Sequence, residues 1–158
     1  RRTHGRLRAG RGKSMSEREA IAELMNRYAW MVDERRWELM DEVFAEGATL
    51  DYSSTGGDKG PYRETLAWLG RALAPWPLNL HHITNLSIEL EGDGARVRTA
   101  FFAPMGRVKP DGTHEVLTTV GYYFDRLVRT PRGWRIAERV CQQKLQIGAL
   151  PTGYEIPR

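Results

Sequence analysis

Two polar side chains of the first predicted helix occupy positions where apolar residues are expected, and both could take part in acid–base chemistry. Asp33 follows Ala29 by four residues and Met25 by eight, so it continues the apolar stripe of that helix. Tyr28 lies five residues before Asp33. A carboxylate can orient a catalytic base, and a phenol can donate to a developing oxyanion. The alternatives are that Asp33 ends the helix in solvent and that Tyr28 is a core tyrosine bonded to water or backbone.

A third candidate is one of two adjacent histidines, His81 and His82, in the strand-like stretch LNLHHITNLSIEL at 78–90. Neighbouring strand residues face opposite sides of a sheet, so only one imidazole can face the interior. The alternate positions that include His82 are the more apolar set, and simple alternation therefore places His82 inside. A metal site is not predicted, because the two rings diverge, His114 falls in a turn region and no second ligand cluster exists.

The elements that position these residues follow from capping and periodicity. Ser16 with Glu19 forms a capping box at the start of the first helix. Next come a helical stretch over about 35–45, a short strand at ATLDYSS, a glycine-rich loop without phosphate-loop spacing, and a third helix from Pro61. Four strand-like runs follow at 78–90, 95–108, 115–129 and 133–147, separated by the turns EGDG, KPDG and TPRG. Strands joined so tightly are antiparallel neighbours, which predicts an α+β domain.

Composition and charge narrow the class of protein. A chain of 158 residues with 41% hydrophobic and 28% charged residues is typical of a soluble domain, and no apolar run is long enough to span a membrane. The single cysteine, Cys141, favours a reducing compartment and hence a cytoplasmic location. Residues 1–14 hold six Arg or Lys and no acid, whereas the remainder holds 18 basic and 20 acidic residues. We therefore do not expect a nucleic-acid partner.

The same charge distribution predicts the domain boundaries. Residues 1–14 are expected to be a disordered basic head, either an expression remnant or an upstream start before Met15. Residues 15–158 are expected to form one domain, with a C-terminal tail from about 146.

Three stretches resemble the SnoaL-like domain of the nuclear transport factor 2-like superfamily. They are RYAWMVDERRWELMDEVFAEGATLDY, LHHITNLSIEL and GYYFDRLVRTPRGWRIAERV, within a similarity that runs from about Arg18 to Leu145. Within that superfamily the stretches resemble scytalone dehydratase, the bile acid 7-alpha-dehydratases and hexachlorocyclohexane dehydrochlorinase. The resemblance implies a cone: a curved antiparallel sheet wrapped around three helices, with a deep internal pocket.

The resemblance also implies the roles of individual residues. The related enzymes share an aspartate and a histidine that match Asp33 and His81. The bile acid dehydratases have a tyrosine that matches Tyr28, and the dehydrochlorinase has an arginine that matches Arg139. His81 rather than His82 then faces inward, which requires a bulge or kink near the start of the strand. The implied pocket walls include Trp30, Tyr52, Phe101 and either Tyr122 or Tyr123.

The function implied is a dehydratase or related lyase that needs neither cofactor nor metal and acts on a hydrophobic, ring-containing small molecule. His81, oriented by Asp33, would remove a proton, while Tyr28 polarises a carbonyl and Arg139 adds positive charge. Alternatives are an isomerase like the ketosteroid isomerases, a non-catalytic ligand-binding module, and an accessory subunit of the ring-hydroxylating dioxygenase type. Apolar side chains on the convex face of the sheet predict a homodimer or homotrimer.

Overall fold

The computed structural model describes residues 15–157, and its helices pack in the hollow of a curved sheet. Helix α1 spans Glu17–Asp33, a 3-10 helix spans Trp37–Glu42, and α2 spans Tyr62–Leu73. The predicted capping box is present, since the Ser16 hydroxyl accepts from the Glu19 backbone at 3.2 Å and Glu19 accepts from the Ser16 backbone at 2.7 Å. The helical stretch predicted over about 35–45 is a single short 3-10 helix.

Within the described residues, seven strands form one sheet. They are β1 (Phe44–Asp51), β2 (Lys59–Pro61), β3 (Leu78–Asn79), β4 (His82–Glu91), β5 (Gly94–Val108), β6 (His114–Thr130) and β7 (Gly133–Ile147). The order is β2-β1-β7-β6-β5, and both β3 and β4 pair with β5. The long strands are antiparallel as predicted. β1 pairs with β7 in parallel, which no local sequence pattern indicates, because the two strands lie about 90 residues apart in the chain.

The core lies between α1 and the concave face of the sheet. The buried stripe of α1 is the predicted one, with Ile21, Leu24, Met25, Tyr28 and Val32 all at most 4% exposed. It packs in one cluster with inward-facing strand residues, including Phe44, Leu50, Leu127 and Ile136. Burial of this stripe brings the last residue of α1, Asp33, against the first residues of the β3–β4 segment.

A β-bulge in β4 changes which side chains face the core. Ladder partners run in register through Thr84, opposite Ala100, and resume at Ser87, opposite Arg98, so β4 holds one extra residue. Asn85, within the bulge, has φ of 52°, in the left-handed region that asparagine tolerates better than most residues. The extra residue lets Ile83, before the bulge, and Ile88, after it, face the same side. The residues that face the core therefore change from odd-numbered to even-numbered positions at the bulge.

The left-handed backbone of Asn85 predicts how substitutions at this position change the stability of the protein. Asn85→Val places a β-branched residue in the left-handed region and should cost about 1–2 kcal/mol of unfolding free energy. Asn85→Gly adopts the same backbone without that penalty and should stay within about 0.5 kcal/mol of the wild type. Urea denaturation of the three proteins measures both differences. Equal stability of the valine and glycine variants would show that the left-handed residue does not hold the bulge.

Two sequence predictions concern the ends of the chain. The predicted basic head, residues 1–14, lies outside the described residues. No helix within residues 15–157 is long and apolar enough to cross a membrane. The C-terminal tail begins after β7 ends at Ile147, close to the predicted start at about 146.

Candidate active site

Asp33 and His81 meet at the junction of α1 and the sheet. His81 Nδ1 lies 2.6 Å from Asp33 Oδ1, and the His81 backbone N–H donates to Asp33 Oδ2 at 2.8 Å. The Asn79 side-chain amide donates to the same carboxylate at 3.2 Å. Both Asp33 and His81 side chains are less than a tenth exposed. Three donors from one short segment therefore fix the Asp33 carboxylate, and this carboxylate in turn fixes the imidazole.

The inward direction of His81 follows from strand register. Asn79 pairs with Met105 and His82 pairs with Phe102, so His81, between them, lies opposite Ala103 on the concave face. His82 is exposed on the other face, where its ring packs edge-on against Phe102. Simple alternation pointed to His82 because most of the apolar positions in its phase, Leu86, Ile88 and Leu90, lie beyond Asn85.

The contact with Asp33 selects the tautomer of His81. A carboxylate accepts hydrogen bonds, so the imidazole proton is held on Nδ1, and Nε2 carries the lone pair. Within the described part of the chain, Asp33 is the only group that bonds the ring, which also lines the main cavity. Nε2 is thus the atom that can accept a proton from a molecule in that cavity.

Tyr28 is fully buried and reaches the cavity through Tyr52. The two hydroxyls lie 2.5 Å apart, and Tyr52 lines the cavity whereas Tyr28 does not. Burial raises the pKa of Tyr28, and it raises the pKa of Tyr52 well above its usual value. Both hydroxyls therefore stay protonated at neutral pH. If Tyr28 donates to Tyr52, the Tyr52 proton remains available to a ligand.

Arg139 lies one layer beneath the cavity. Its guanidinium makes two bonds to Asp125, at 2.7 and 2.8 Å, and sits 4.1 Å from the ring centroids of both Tyr28 and Tyr123. Burial alone lowers the pKa of Arg139, but the Asp125 carboxylate outweighs it and the pKa lies well above its usual value. The Arg139 cation is thus neutralised by Asp125 and separated from the cavity by aromatic rings. The positive charge that the resemblance implies for Arg139 would therefore act on the cavity through the Tyr28 and Tyr123 rings.

The main cavity lies between α2 and the concave face of the sheet. Its volume is about 110 Å³. Aromatic rings form much of its wall. Among them, the rings of Phe101 and Tyr123 are stacked, with their centroids 4.4 Å apart. Its further aromatic lining consists of Tyr52, Trp68, Trp76 and Tyr154. An aromatic lining of this kind suits a flat hydrophobic ligand.

The C-terminal tail crosses the mouth of the cavity. Trp68 Nε1 donates to the Pro157 carbonyl at 2.6 Å, and the Tyr154 hydroxyl donates to the Ala72 carbonyl at 3.2 Å. Leu150, Tyr154 and Ile156 contribute side chains to the lining. The tail thus completes the enclosure that α2 and the sheet begin.

Two predicted pocket residues are placed elsewhere. Trp30 is 62% exposed and borders a shallow surface pocket on the outer side of Asp33 and His81. It lies two residues after Tyr28, which on a helix turns it away from the core. Tyr122 lies on the convex face beside Phe124, with ring centroids 6.1 Å apart. The alternative position, Tyr123, is the inward one, while Tyr52 and Phe101 line the cavity as predicted.

Several cavity residues were missed by sequence reasoning. Trp76 belongs to the segment APWP, just after α2 ends at Leu73. It is 1% exposed and lines the cavity, and the Arg35 side chain donates to its carbonyl at 2.9 Å. Gln143 also lines the cavity, although polar strand residues are ordinarily assigned to solvent. The only signal for Trp76 was that large apolar side chains are seldom fully exposed.

Cys141 provides a chemical test of the cavity wall. Burial raises the pKa of its thiol to about 12, and the side chain is 2% exposed. Only the thiolate reacts with alkylating reagents, so iodoacetamide at pH 8 should modify the native protein at least about 10³-fold more slowly than the unfolded chain. Mass spectrometry of samples with and without guanidinium chloride measures the ratio. Similar rates in both samples would show that Cys141 is not enclosed.

The comparisons with known proteins bear on the family. The family model described as "SnoaL-like domain" matches residues 13–140 of this chain. The chain belongs to the SnoaL-like domain family. An uncharacterized protein of Mycobacterium tuberculosis is 37% identical over 134 residues, which cover 83% of this chain and 90% of that protein.

Solved structures support the fold of this SnoaL-like protein. A Novosphingobium aromaticivorans protein assigned as a scytalone dehydratase is 24% identical, with a TM-score of 0.69 over 88% of this chain and 95% of that one. A hexachlorocyclohexane dehydrochlorinase is 19% identical, with a TM-score of 0.68 over 87% and 95% of the two chains. At 24% and 19% identity, these similarities show that the fold is shared. The predicted α+β, nuclear transport factor 2-like architecture is confirmed.

Proposed function

We propose that this SnoaL-like protein is a cofactor-independent lyase, a dehydratase, that acts on a hydrophobic ring-containing small molecule. The observation that carries the proposal is the 2.6 Å contact between Asp33 and His81 at the wall of an aromatic cavity. A ligand-binding module would have no need of an imidazole held in one tautomer by a buried carboxylate. Dehydratase and dehydrochlorinase names among proteins of the same fold agree with elimination chemistry.

His81 is the general base. Its Nε2 takes a proton from the carbon next to a carbonyl, and the imidazolium that forms is stabilised by Asp33. The C–H electron pair becomes the carbon–carbon double bond as the C–O bond on the neighbouring carbon breaks. The departing hydroxyl receives the proton from His81 and leaves as water. Elimination of this kind is redox-neutral and returns His81 to its starting tautomer.

Tyr52, supported by Tyr28, is the hydrogen-bond donor to the carbonyl. As the α-proton leaves, negative charge develops on the carbonyl oxygen, and a neutral donor in a dry cavity stabilises that charge. Tyr28 meets the substrate only through Tyr52 in this arrangement, which revises the direct role that the resemblance implies. Arg139 acts beneath both rings as a positioning residue.

Isomerisation is the second candidate function. His81 is the only imidazole or charged side chain among the described residues that line the cavity. One base that removes a proton and returns it to another carbon is sufficient for a double-bond shift. The mass of the product distinguishes the two reactions, because elimination loses water and isomerisation leaves the mass unchanged.

Dehydration of 3-hydroxy-1-tetralone tests the proposal. This neutral bicyclic β-hydroxy ketone carries an acidic C–H beside its carbonyl, and loss of water yields fluorescent 1-naphthol. The protein should accelerate the appearance of 1-naphthol over the buffer rate, with heat-denatured protein as the control. A rate equal to that of the buffer for this ketone and for homologous one- and three-ring β-hydroxy ketones would count against dehydration.

We also propose a cytoplasmic homo-oligomer, a dimer or trimer, that buries the convex face of the sheet. Exposed apolar side chains cluster there on three adjacent strands, namely Phe102, Phe124 and Val140. Phe124→Arg should shift the assembly toward monomer in multi-angle light scattering, whereas Lys144→Arg, on the same sheet, should not. A wild-type monomer at tens of micromolar would contradict the proposal.

A further inference from the structure

A row of facing residues links His81 to the far side of the cavity. His81 lies opposite Ala103, Ala103 pairs with Thr119, and Thr119 pairs with Gln146. Three strand spacings separate the two ends of this row, which is about 14 Å along the sheet. His81, Thr119 and Gln146 all line the cavity. The concave face therefore carries polar groups at two well-separated places.

A β-bulge in β7 lies between Gln143 and Gln146. Val120 pairs with Leu145 and Gly121 pairs with Gln143, so Lys144 is an extra residue in β7. Gln143 and Gln146 can then both face the cavity, although they are three residues apart. Gly121 permits the close approach of β7, because a Cβ at this position would collide with the Gln142 carbonyl oxygen. The bulge thus brings a second glutamine, Gln146, to the face that Gln143 already occupies.

These far polar groups lack protein partners. No group within residues 15–157 bonds the Gln143 side-chain amide or the Thr119 hydroxyl, and both side chains are partly buried. Gln146 makes only a long contact of 3.5 Å to the Gly148 carbonyl. An amide and a hydroxyl can each donate and accept, so together they suit a ligand hydroxyl or carbonyl.

The cavity offers no compensation for a charged ligand. Its described lining includes no Asp, Glu, Lys or Arg. Arg139, the nearest buried cation, is paired with Asp125 behind the Tyr123 ring. Transfer of a carboxylate or phosphate into such surroundings carries a large desolvation cost, whereas a neutral polar group needs only a hydrogen bond.

We infer that the substrate is an uncharged, elongated ring molecule with a second hydroxyl or carbonyl group at the end remote from the reacting C–H, where Gln143 and Thr119 receive it. This inference rests on the proposed function for the position of the reacting end. It goes further by assigning a specificity subsite to Thr119 on β6 and Gln143 on β7, the second and third strands from His81.

Calorimetric titration of three matched naphthols into the full-length protein tests the inference. The probes are 1-naphthol, naphthalene-1,6-diol, which adds a remote hydroxyl, and 5-hydroxy-2-naphthoate, which places a carboxylate at that same position. The variants are Gln143→Leu and Thr119→Val. Gln142→Leu is the control, because Gln142 is exposed and pairs with Tyr122 on the convex side.

The wild type should bind the diol more tightly than 1-naphthol and bind the carboxylate at least about 10-fold more weakly than the diol. Gln143→Leu and Thr119→Val should each weaken diol binding about 2- to 10-fold and change 1-naphthol binding by less than about 2-fold. Gln142→Leu should change neither. Equal losses for both naphthols, tighter binding of the carboxylate, or no binding of any probe would overturn the inference. Binding does not require turnover, so naphthol discrimination without dehydration would refute the proposed function alone.

Discussion

His81→Gln should lower the turnover of 3-hydroxy-1-tetralone by about 10²–10⁴-fold while leaving 1-naphthol binding nearly unchanged. Glutamine is similar in size and polarity, but its side chain cannot accept the substrate proton at neutral pH. The range is that of a lost general acid–base catalyst. Initial rates from 1-naphthol fluorescence, with affinity from calorimetry, separate the chemical step from binding.

Asp33→Asn should lower the same rate toward the small end of that range. The amide keeps the shape of the carboxylate, but it removes the charge that stabilises the imidazolium and can present an N–H to His81 Nδ1. His82→Gln is the matched control, since His82 is exposed and bonds only the Phe102 carbonyl, at 3.2 Å. If His82→Gln proved as damaging as His81→Gln, the inward assignment of His81 would be wrong.

Asp125→Asn should be the most destabilising of the single substitutions considered, at about 3–5 kcal/mol of unfolding free energy. Asp125 and Arg139 side chains are both 0% exposed, and the substitution leaves the Arg139 cation buried without its partner. The Nη1 atom of Arg139 already lacks a hydrogen-bond partner among the described residues, so nothing nearby can take over. Urea denaturation measures the loss.

Replacing the pair together separates structural from catalytic roles. Asp125→Leu with Arg139→Met exchanges the ion pair for apolar groups of similar volume, and such exchanges are often close to neutral in stability. The double variant should therefore recover most of the stability lost by Asp125→Asn and retain measurable turnover. A double variant that is as stable as the wild type but inactive would return Arg139 to a direct part in the reaction.

Local signals in the sequence were sufficient for most of the fold. The Ser16–Glu19 capping box, the apolar stripe of α1 and the three turns between long strands depend on residues close together in the chain. Each of these is found in the structure. Parallel pairing of β1 with β7 depends on contacts between distant residues and left no comparable local pattern.

The site was predictable only in part, because bulges control which strand residues face the cavity. Periodicity assumes an unbroken alternation, whereas β4 contains one extra residue and β7 contains two. Alternation alone therefore selected His82, and it could not place Gln146 on the cavity face. The resemblance supplied His81, because it matches residues along the sequence and does not depend on the alternation of side chains in a strand. It could not show that Arg139 is neutralised by Asp125, because that pairing depends on the β6–β7 register.

Deuterium incorporation into 1-tetralone is the most direct test of the central claim, that His81 removes a proton from a carbon acid in this cavity. This ketone has an acidic C–H but no hydroxyl to lose, so exchange at C2 in D₂O reports proton abstraction alone. Proton NMR should show exchange at least about 10²-fold faster with the wild type and His82→Gln than in buffer. His81→Gln should return the rate to that of the buffer. Exchange as fast in His81→Gln as in the wild type would contradict the account.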